Sequence, residues 1–391
     1  MLLIDWNTAA TTFTVNSDGK ADYKSIQKAI DSASNGDKIL VYPGVYTENV
    51  NVKKGLEIKS ISGIPEYTII EASNPNNDVV KVTANSATIN GFVVTGVNSP
   101  HAGLFFDRCH NSTSIGNKLL RNHQGILLEL ASRNKVLNTI ANNNGDGIVL
   151  FNSADNIIAN NTVNSNGFSG IMLTNSSKNI LKNYTATQNK MVGIDLGKST
   201  NNTFFNNNIS SNEGTGVIFT ESNYNELKNN YAYSNPNSGF SVSSNSSKNI
   251  FINNTAEKNG FGTYLTNSSN NVFEDNKILK NEIGIYLQNA SSNEIYANKI
   301  CSNDEGFWIY NCKDNNKLNM NQIKNNQIGF SIETSDDSIK EHNFQKDNLL
   351  EGNDNKIETS PAIKILPSLL TIVVLFILII GTIFIYSQNK N

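Results

Sequence analysis

The sequence predicts an all-β chain wound as a right-handed, single-stranded parallel β-helix, a solenoid of three sheets, and three observations predict it. First, one line of sequence is written about ten times between Gly103 and Asn326. Its leading glycine returns at Gly125, Gly147, Gly170, Gly193, Gly216, Gly239, Gly262, Gly284, Gly306 and Gly329, 22 or 23 residues apart, which is a solenoid period. Second, each copy alternates apolar and polar residues after the glycine (Ile126 and Leu128, Ile148 and Leu150, Ile171 and Leu173), the pattern of a short strand with one buried face. Further apolar positions follow about eight residues on (Val136, Ile158, Leu181) and about five after that (Ile140, Val163, Ile209), which leaves no room for a helix within a copy. Third, two asparagine columns punctuate the strands. One runs from Asn134 through Asn156, Asn179 and Asn202 to Asn293 and Asn315; the other runs from Asn122 through Asn144, Asn166 and Asn189 to Asn326. Asparagine tolerates left-handed backbone and bonds its own backbone, so it suits a corner. Corners stacked about 4.8 Å apart also let each side-chain amide donate to the next. Eleven or so such coils make a rod about 50 Å long.

In chain order, residues 1–21 form an N-terminal segment and residues 22–100 a capping helix followed by irregular first coils. Asp22 to Ala33 reads as an amphipathic helix with Ile26, Ala29, Ile30 and Ala33 on one stripe and Asp22 as its cap, placed to plug the open end of the solenoid. Residues 101–335 are the regular repeats, and 336–363 a decayed last coil and linker. Residues 364–387 form a transmembrane helix, because Ile365 to Tyr386 carries 22 residues without a charge, and 388–391 are a tail. Met1 to Thr12 has neither the basic start nor the apolar length of a signal peptide.

A net charge of -3 argues against a nucleic-acid partner, and arginine appears only three times. Cys109 and Cys312 occupy the same small-residue slot, six after the glycine, and read as buried free thiols, with Cys301 near a third strand; no cysteine pair has metal-ligand spacing. Ten Asn-x-Ser/Thr sequons, Asn111, Asn160 and Asn175 among them, are about what this asparagine content gives by chance.

The recurring Gly-Ile-x-Leu-x-x-Ser-x-x-Asn-x-Ile-x-x-Asn pattern resembles the parallel β-helix repeats of NosD-like proteins, also described as CASH (carbohydrate-binding and sugar-hydrolase) domains and common in archaeal surface proteins. The resemblance covers about two thirds of the chain. It implies a rod facing outward at the cell surface. The stretch from Gly36 to Val50, with Pro43-Gly44-Val45-Tyr46-Thr47-Glu48, is similar to the opening of β-helix pectin esterases and pectate lyases. That likeness stops after Val50, since the downstream Gln-Asp and Asp-Phe-Ile-Phe-Gly-Asn segments, and the Asn-Thr-Asp and Gly-His-Gly signatures of polygalacturonases, have no counterpart. Copper, which the NosD name implies, wants clustered His, Cys or Met, whereas Met172 and Met191 are scattered. Calcium, as at lyase sites, has Asp107, Glu129, Asp146 and Arg108 as its nearest approach to a ligand set.

Two constellations bear on function. The outward column two residues after the glycine runs Phe105, Leu127, Val149, Met172, Asp195, Ile218, Ser241, Tyr264, Tyr286, Trp308, where a solvated sheet would be polar. Tyr264, Tyr286 and Trp308, with Tyr310 two residues along its strand, form an aromatic row suited to the CH faces of sugars, and Glu282, Asp304 and Glu305 at the adjoining turn suit hydroxyls; the plainer reading is that aromatics stack to stabilise strands. The second constellation is His101, Asp107, Arg108, His123 and Glu129, acids beside His and Arg as acid/base work on an acidic sugar requires; a solvated charged patch is the alternative. The expectation is a membrane-anchored surface rod that binds polysaccharide or contributes to an envelope layer without catalysis and without a cofactor. The alternatives are a lyase or epimerase of uronate polymers and a copper-site accessory factor. Oligomeric state and the side of the membrane stay open.

Overall fold

The structure, a computed structural model, describes residues 10–312, 315–333 and 348–360. The period does what it predicts: from Ala102 to Glu333 each lap of 22 to 24 residues lands on the one before. Six-residue strands such as Asp146–Phe151, Ser169–Thr174 and Val192–Gly197 pair in parallel along one face, which holds fourteen strands among the described residues. Three-residue strands such as Ile157–Ala159 and Ile180–Lys182 make a second fourteen-stranded face. The third face is divided into runs of five and eight strands, because at Thr162 the strand shrinks to single bridges with Ile140 and Thr185. The rod therefore has about fourteen coils rather than eleven, since the irregular first coils stack in the same file (Val50 on Val80, Val80 on Leu104) and Leu349–Glu351 and Asn355–Ser360 complete a further lap on Gln322–Lys324 and Ile328–Glu333. Fourteen coils span roughly 65 Å. The segment from Ile365 to Tyr386 lies outside the described residues; among those described, no helix is long and apolar enough to cross a membrane.

The inside is filled by the inward residues of all three faces, stacked like on like. Phe251 lies on Phe273 with ring centroids 4.5 Å apart, and Phe307 on Phe330 at 5.0 Å. The periodic glycine sits where the third face bends into the long strand. A Cβ at Gly239 would lie 2.8 Å from the carbonyl oxygen of Gly262 and 3.0 Å from the Ala256 methyl, so any side chain there pushes against the next coil's backbone.

Buried amides hold the corners. The Asn202 side chain donates to Ser176 O at 3.0 Å and to Asn225 Oδ1 at 3.0 Å, and Asn225 Oδ1 also takes the Asn202 backbone N–H at 2.9 Å. Each amide therefore binds its own lap to both neighbours. The second predicted column repeats the arrangement from Asn122 to Asn326 and on to Asn353. The first departs from prediction at its end: Asn293 bonds Asn316, not Asn315, because that lap carries an extra residue before the corner. A third ladder, Asn207 through Asn230, Asn254, Asn276, Asn298 and Asn321 to Asn348, was not expected; Thr139 and Tyr184 break it earlier in the chain.

The first lap is closed by a helix, Ile26–Ser32, whose Ile26, Ala29 and Ile30 are buried against the strands beneath. It starts later than predicted and Asp22 does not cap it. Asp22 instead accepts from Thr14 N at 2.8 Å and Thr14 Oγ1 at 2.7 Å, while the helix's free N–H groups at Ile26 and Gln27 go to Glu48, each at 2.9 Å. Cys109, Cys301 and Cys312 are buried free thiols, and burial pushes Cys109 and Cys312 up to about 11.

An amide removed from a ladder leaves orphaned partners in two laps. Asn225→Ala is expected to cost about 3 kcal/mol, whereas Asn229→Ala, at a corner where the left-handed backbone is the main loss, costs about 1 kcal/mol; chemical denaturation of the two variants checks this.

Candidate functional site

The long-strand face is the broadest surface of the rod, and its outward positions are set by alternation: when Ile and Leu of each strand face the core, the residues between them face out. The column runs in register from Phe105 on Leu127 and Val149 to Met172 on Asp195, Asp195 on Ile218, and Tyr264 on Tyr286 on Trp308. Several of these outward side chains are shielded by their neighbours; Phe105 is 8% exposed and Val149 2%.

The aromatic row is continuous, but it is not a flat platform. Tyr264 and Tyr286 stack at 5.2 Å with their planes 21° apart, Trp308 meets Tyr286 edge-on at 5.0 Å, and Phe261 packs against both tyrosines. Tyr286 is 6% exposed, whereas Tyr264, Trp308 and Tyr310 are half-buried and present open surface. Glu282 and Asp304 stand exposed at the adjoining corner, with Asp304 taking a bond from Gln327 Nε2 at 3.3 Å. Glu305 lies within the face, and burial raises its carboxyl. Two buried polar atoms here lack any hydrogen-bond partner, the indole Nε1 of Trp308 and Oε2 of Glu305, one a donor and the other an acceptor.

The other predicted constellation divides in two. His101 and His123 lie before their strands; His101 Nδ1 is 3.6 Å from Asp78, His123 Nε2 is 3.4 Å from Ser99 Oγ, and burial followed by the nearby His101 lowers the His123 pKa. Asp107 and Glu129 pair in register at the far ends of Ala102–Asp107 and Gln124–Glu129. There Asp107 is held by Lys81 at 2.9 Å and approached by the exposed Arg108 at 3.9 Å, while burial and then Asp107 raise Glu129. A six-residue strand, about 17–20 Å long, lies between the two halves, so the five residues do not meet around one sugar.

Between these regions the face holds two carboxylates that sequence reading did not single out as a pair. Asp146 is 8% exposed, sits beside Gln124 in register and accepts from Ser169 N at 2.9 Å; burial pushes it up to about 6. Asp195 stands half-buried in the outward column with Met172 on one side and Ile218 on the other, and desolvation by these neighbours, with the charge of Asp146 adding to it, pushes it up to about 7. The signal of Asp195 in sequence is a carboxylate in a column that is mostly apolar or aromatic, whereas Asp146 shares its slot before the glycine with Gln124 and Glu305. The Gln124 Oε1 beside Asp146 is also buried without a partner. Among the described residues, no three His, Cys, Asp or Glu side chains are grouped to hold a metal ion.

The model of the "right handed beta helix region" matches residues 43–183 and 137–278, together more than half of the chain, and that of the "periplasmic copper-binding protein (NosD)" matches residues 243–362. A cell surface glycoprotein of Methanothermus fervidus is 32% identical over 99 residues; the match takes in 25% of this chain and 16% of the relative. Among solved structures, the catalytic domain of a GH87 alpha-1,3-glucanase superposes with a TM-score of 0.57 at 14% identity, over 93% of this chain and 70% of that one. The A-module of the Azotobacter vinelandii mannuronan C-5 epimerase AlgE6 does so with a TM-score of 0.52 at 14% identity, over 87% and 95%. These distant likenesses show the fold. The chain belongs to the right-handed β-helix family and is NosD-like over its C-terminal third.

Proposed function

We propose that this chain is a cell-surface rod, anchored to the membrane through Ile365 to Tyr386, that binds polysaccharide along its long-strand face without acting on it. The observation that carries this reading is the row Tyr264, Tyr286 and Trp308, in which Tyr264 and Trp308, with Tyr310 on the same strand as Trp308, keep open ring surface on the broad face. A sugar polymer supplies CH faces for the open rings and hydroxyls that donate to the exposed carboxylates of Glu282 and Asp304. A strand face with a repeat of one lap per 4.8 Å also suits a polymer lying along it better than a small molecule. The relative named a cell surface glycoprotein supports the location, and the fold neighbours named for mannuronan and α-1,3-glucan accord with a sugar polymer as ligand.

Trp308→Ala and Tyr264→Ala are each expected to weaken binding to a polysaccharide array by roughly tenfold, on the order of 1 kcal/mol per aromatic contact. Unchanged binding in both variants would place the ligand elsewhere.

A second reading, acid/base chemistry on a uronate polymer, is favoured by Asp146 and Asp195 rather than by the divided set of His101, Asp107, Arg108, His123 and Glu129. Two carboxyls near 6 and 7 are poised to exchange protons at neutral pH. The two carboxylates also make a prediction that holds under either reading. Their pKa values are raised above the unfolded values, so the stability they contribute is full below about pH 4 and is lost as pH rises through 6 and 7. Asp195→Asn is therefore expected to raise the melting temperature at pH 8 by about 2–4 °C while leaving that at pH 4 nearly unchanged. Thermal melts across this range check the sign. Incubation of the intact protein with alginate and polygalacturonate, read by the absorbance of unsaturated ends and by proton NMR of the product, separates catalysis from binding. Product made by the native chain and not by Asp195→Asn supports the second reading, and no product from either leaves binding as the function.

A further inference from the structure

The ten sequons are distributed over the rod in a way that composition does not dictate. Every sequon asparagine is exposed, Asn111, Asn160, Asn175, Asn183, Asn201, Asn208, Asn245, Asn253, Asn267 and Asn289 alike, and none of the twenty-seven asparagines buried among the described residues belongs to a sequon. The cause is structural. Most buried ladder asparagines stand two residues before an inward apolar side chain, as Asn156 does before Ile158 and Asn230 before Ala232, and a core position excludes the Ser or Thr that a sequon needs.

Nine of the ten also have left-handed backbone, with φ between 47° and 63°, and so sit at the sharp points of corners. Six mark the corner that follows the long strand, and three, Asn160, Asn183 and Asn253, mark the corner between the second and third faces. The tenth, Asn208, opens the strand Asn208–Ser210. The corner that leads from the third face into the long strand carries none. There the residue two beyond Asn143 or Asn164 is Gly145 or the ladder residue Asn166.

We propose that the rod is N-glycosylated at the sequon asparagines of its first two corners, and that the third corner, with the adjoining edge that holds His123, Asp146 and Glu305, stays bare. The proposal rests on the surface location argued above. The donor is a lipid-linked glycosyl diphosphate: the amide Nδ2 bonds to the anomeric carbon, the bond from that carbon to the diphosphate breaks, and the amide proton leaves with the phosphate side. Where these amides bond at all in the structure, the partner is another exposed group, as with Asn253 Nδ2 to Asn229 Oδ1 at 2.8 Å, so attachment disturbs no ladder. Glycans at Asn245, Asn267 and Asn289 stand along the far rim of the aromatic row, which leaves the polymer to approach from the bare corner.

The test uses the full chain isolated from cells of its source, after intact cells have been treated with a membrane-impermeant amine reagent. Peptide mass spectrometry is expected to find hexose-containing adducts on peptides holding Asn175, Asn267 and Asn289, which vanish singly in Ser177→Ala, Ser269→Ala and Ser291→Ala, substitutions that leave the asparagines in place. It is also expected to find the exposed Lys190, at the bare corner, labelled severalfold more than Lys178 and Lys248 at the glycan-bearing corner, with the difference removed by enzymatic or chemical deglycosylation. Surface labelling with unmodified sequon peptides overturns the glycosylation and leaves the surface location standing. An absence of both label and adducts overturns the two together, and equal labelling of the three lysines on glycosylated protein overturns the bare corner.

Discussion

The fold depends on how a corner is closed inside a protein. A chain that turns three times per lap exposes backbone N–H and C=O groups at every turn, and in a filled solenoid those groups face the core, where water cannot reach them. The asparagine ladders meet this constraint with one side chain per corner. A single Oδ1 takes two donors from the lap before, and the Nδ2 donates one bond to the amide oxygen of the lap after and one to a carbonyl of the lap before, as Asn225 does to Asn249 and Ser199. Because donor and acceptor lie on the same side chain, the arrangement has a direction and fixes the register of each lap. A slip of one residue along any strand breaks three ladders at once.

This constraint also explains which parts of the chain are free to vary. The ladders, the glycine file and the inward apolar residues occupy about half of each lap and leave the outward positions with no structural instruction. Column residues two after the glycine accordingly range from Ser241 and Asp195 to Trp308 without a change in the strand that holds them. Chemistry placed there does not endanger the fold, and the long face is the one with enough outward positions per strand to build a surface.

The legibility of the sequence follows the same division. The glycine period, the inward alternation and two of the ladders were readable because the physical requirement repeats with the lap. The third ladder was missed because Thr139 and Tyr184 replace its asparagines in the first laps, and Asn315 was chosen over Asn316 because counting by the period cannot see an added corner residue. Asp22 looked like a cap by its position before an apolar stripe, but the carboxylate that reaches the helix comes from Glu48, a lap away in space and invisible to local pattern. The division of His101 and His123 from Asp107 and Glu129 required knowing how far one strand runs between them. Tyr264, Tyr286 and Trp308 were predictable as neighbours, while the burial of Tyr286 between the other two was not.

Asp195 is the residue whose presence the scaffold explains least and function explains best. Its flanking laps carry Met172 and Ile218, which strip water from the carboxylate, and no cation lies beside it to repay that desolvation. Asp146, the nearest charge that acts on it, makes ionisation harder still. Ser241 and Ser331 show that a small neutral side chain fits the same column. A chain selected for stability alone would therefore not hold an acid at this position, since at neutral pH the charge opposes folding. The same argument applies to Glu305, one of whose oxygens is buried without a partner, as is the indole N–H of Trp308 on the same strand. Departures of this kind from local consistency concentrate where a protein meets its ligand, and here both fall on the one face whose outward positions the fold leaves free.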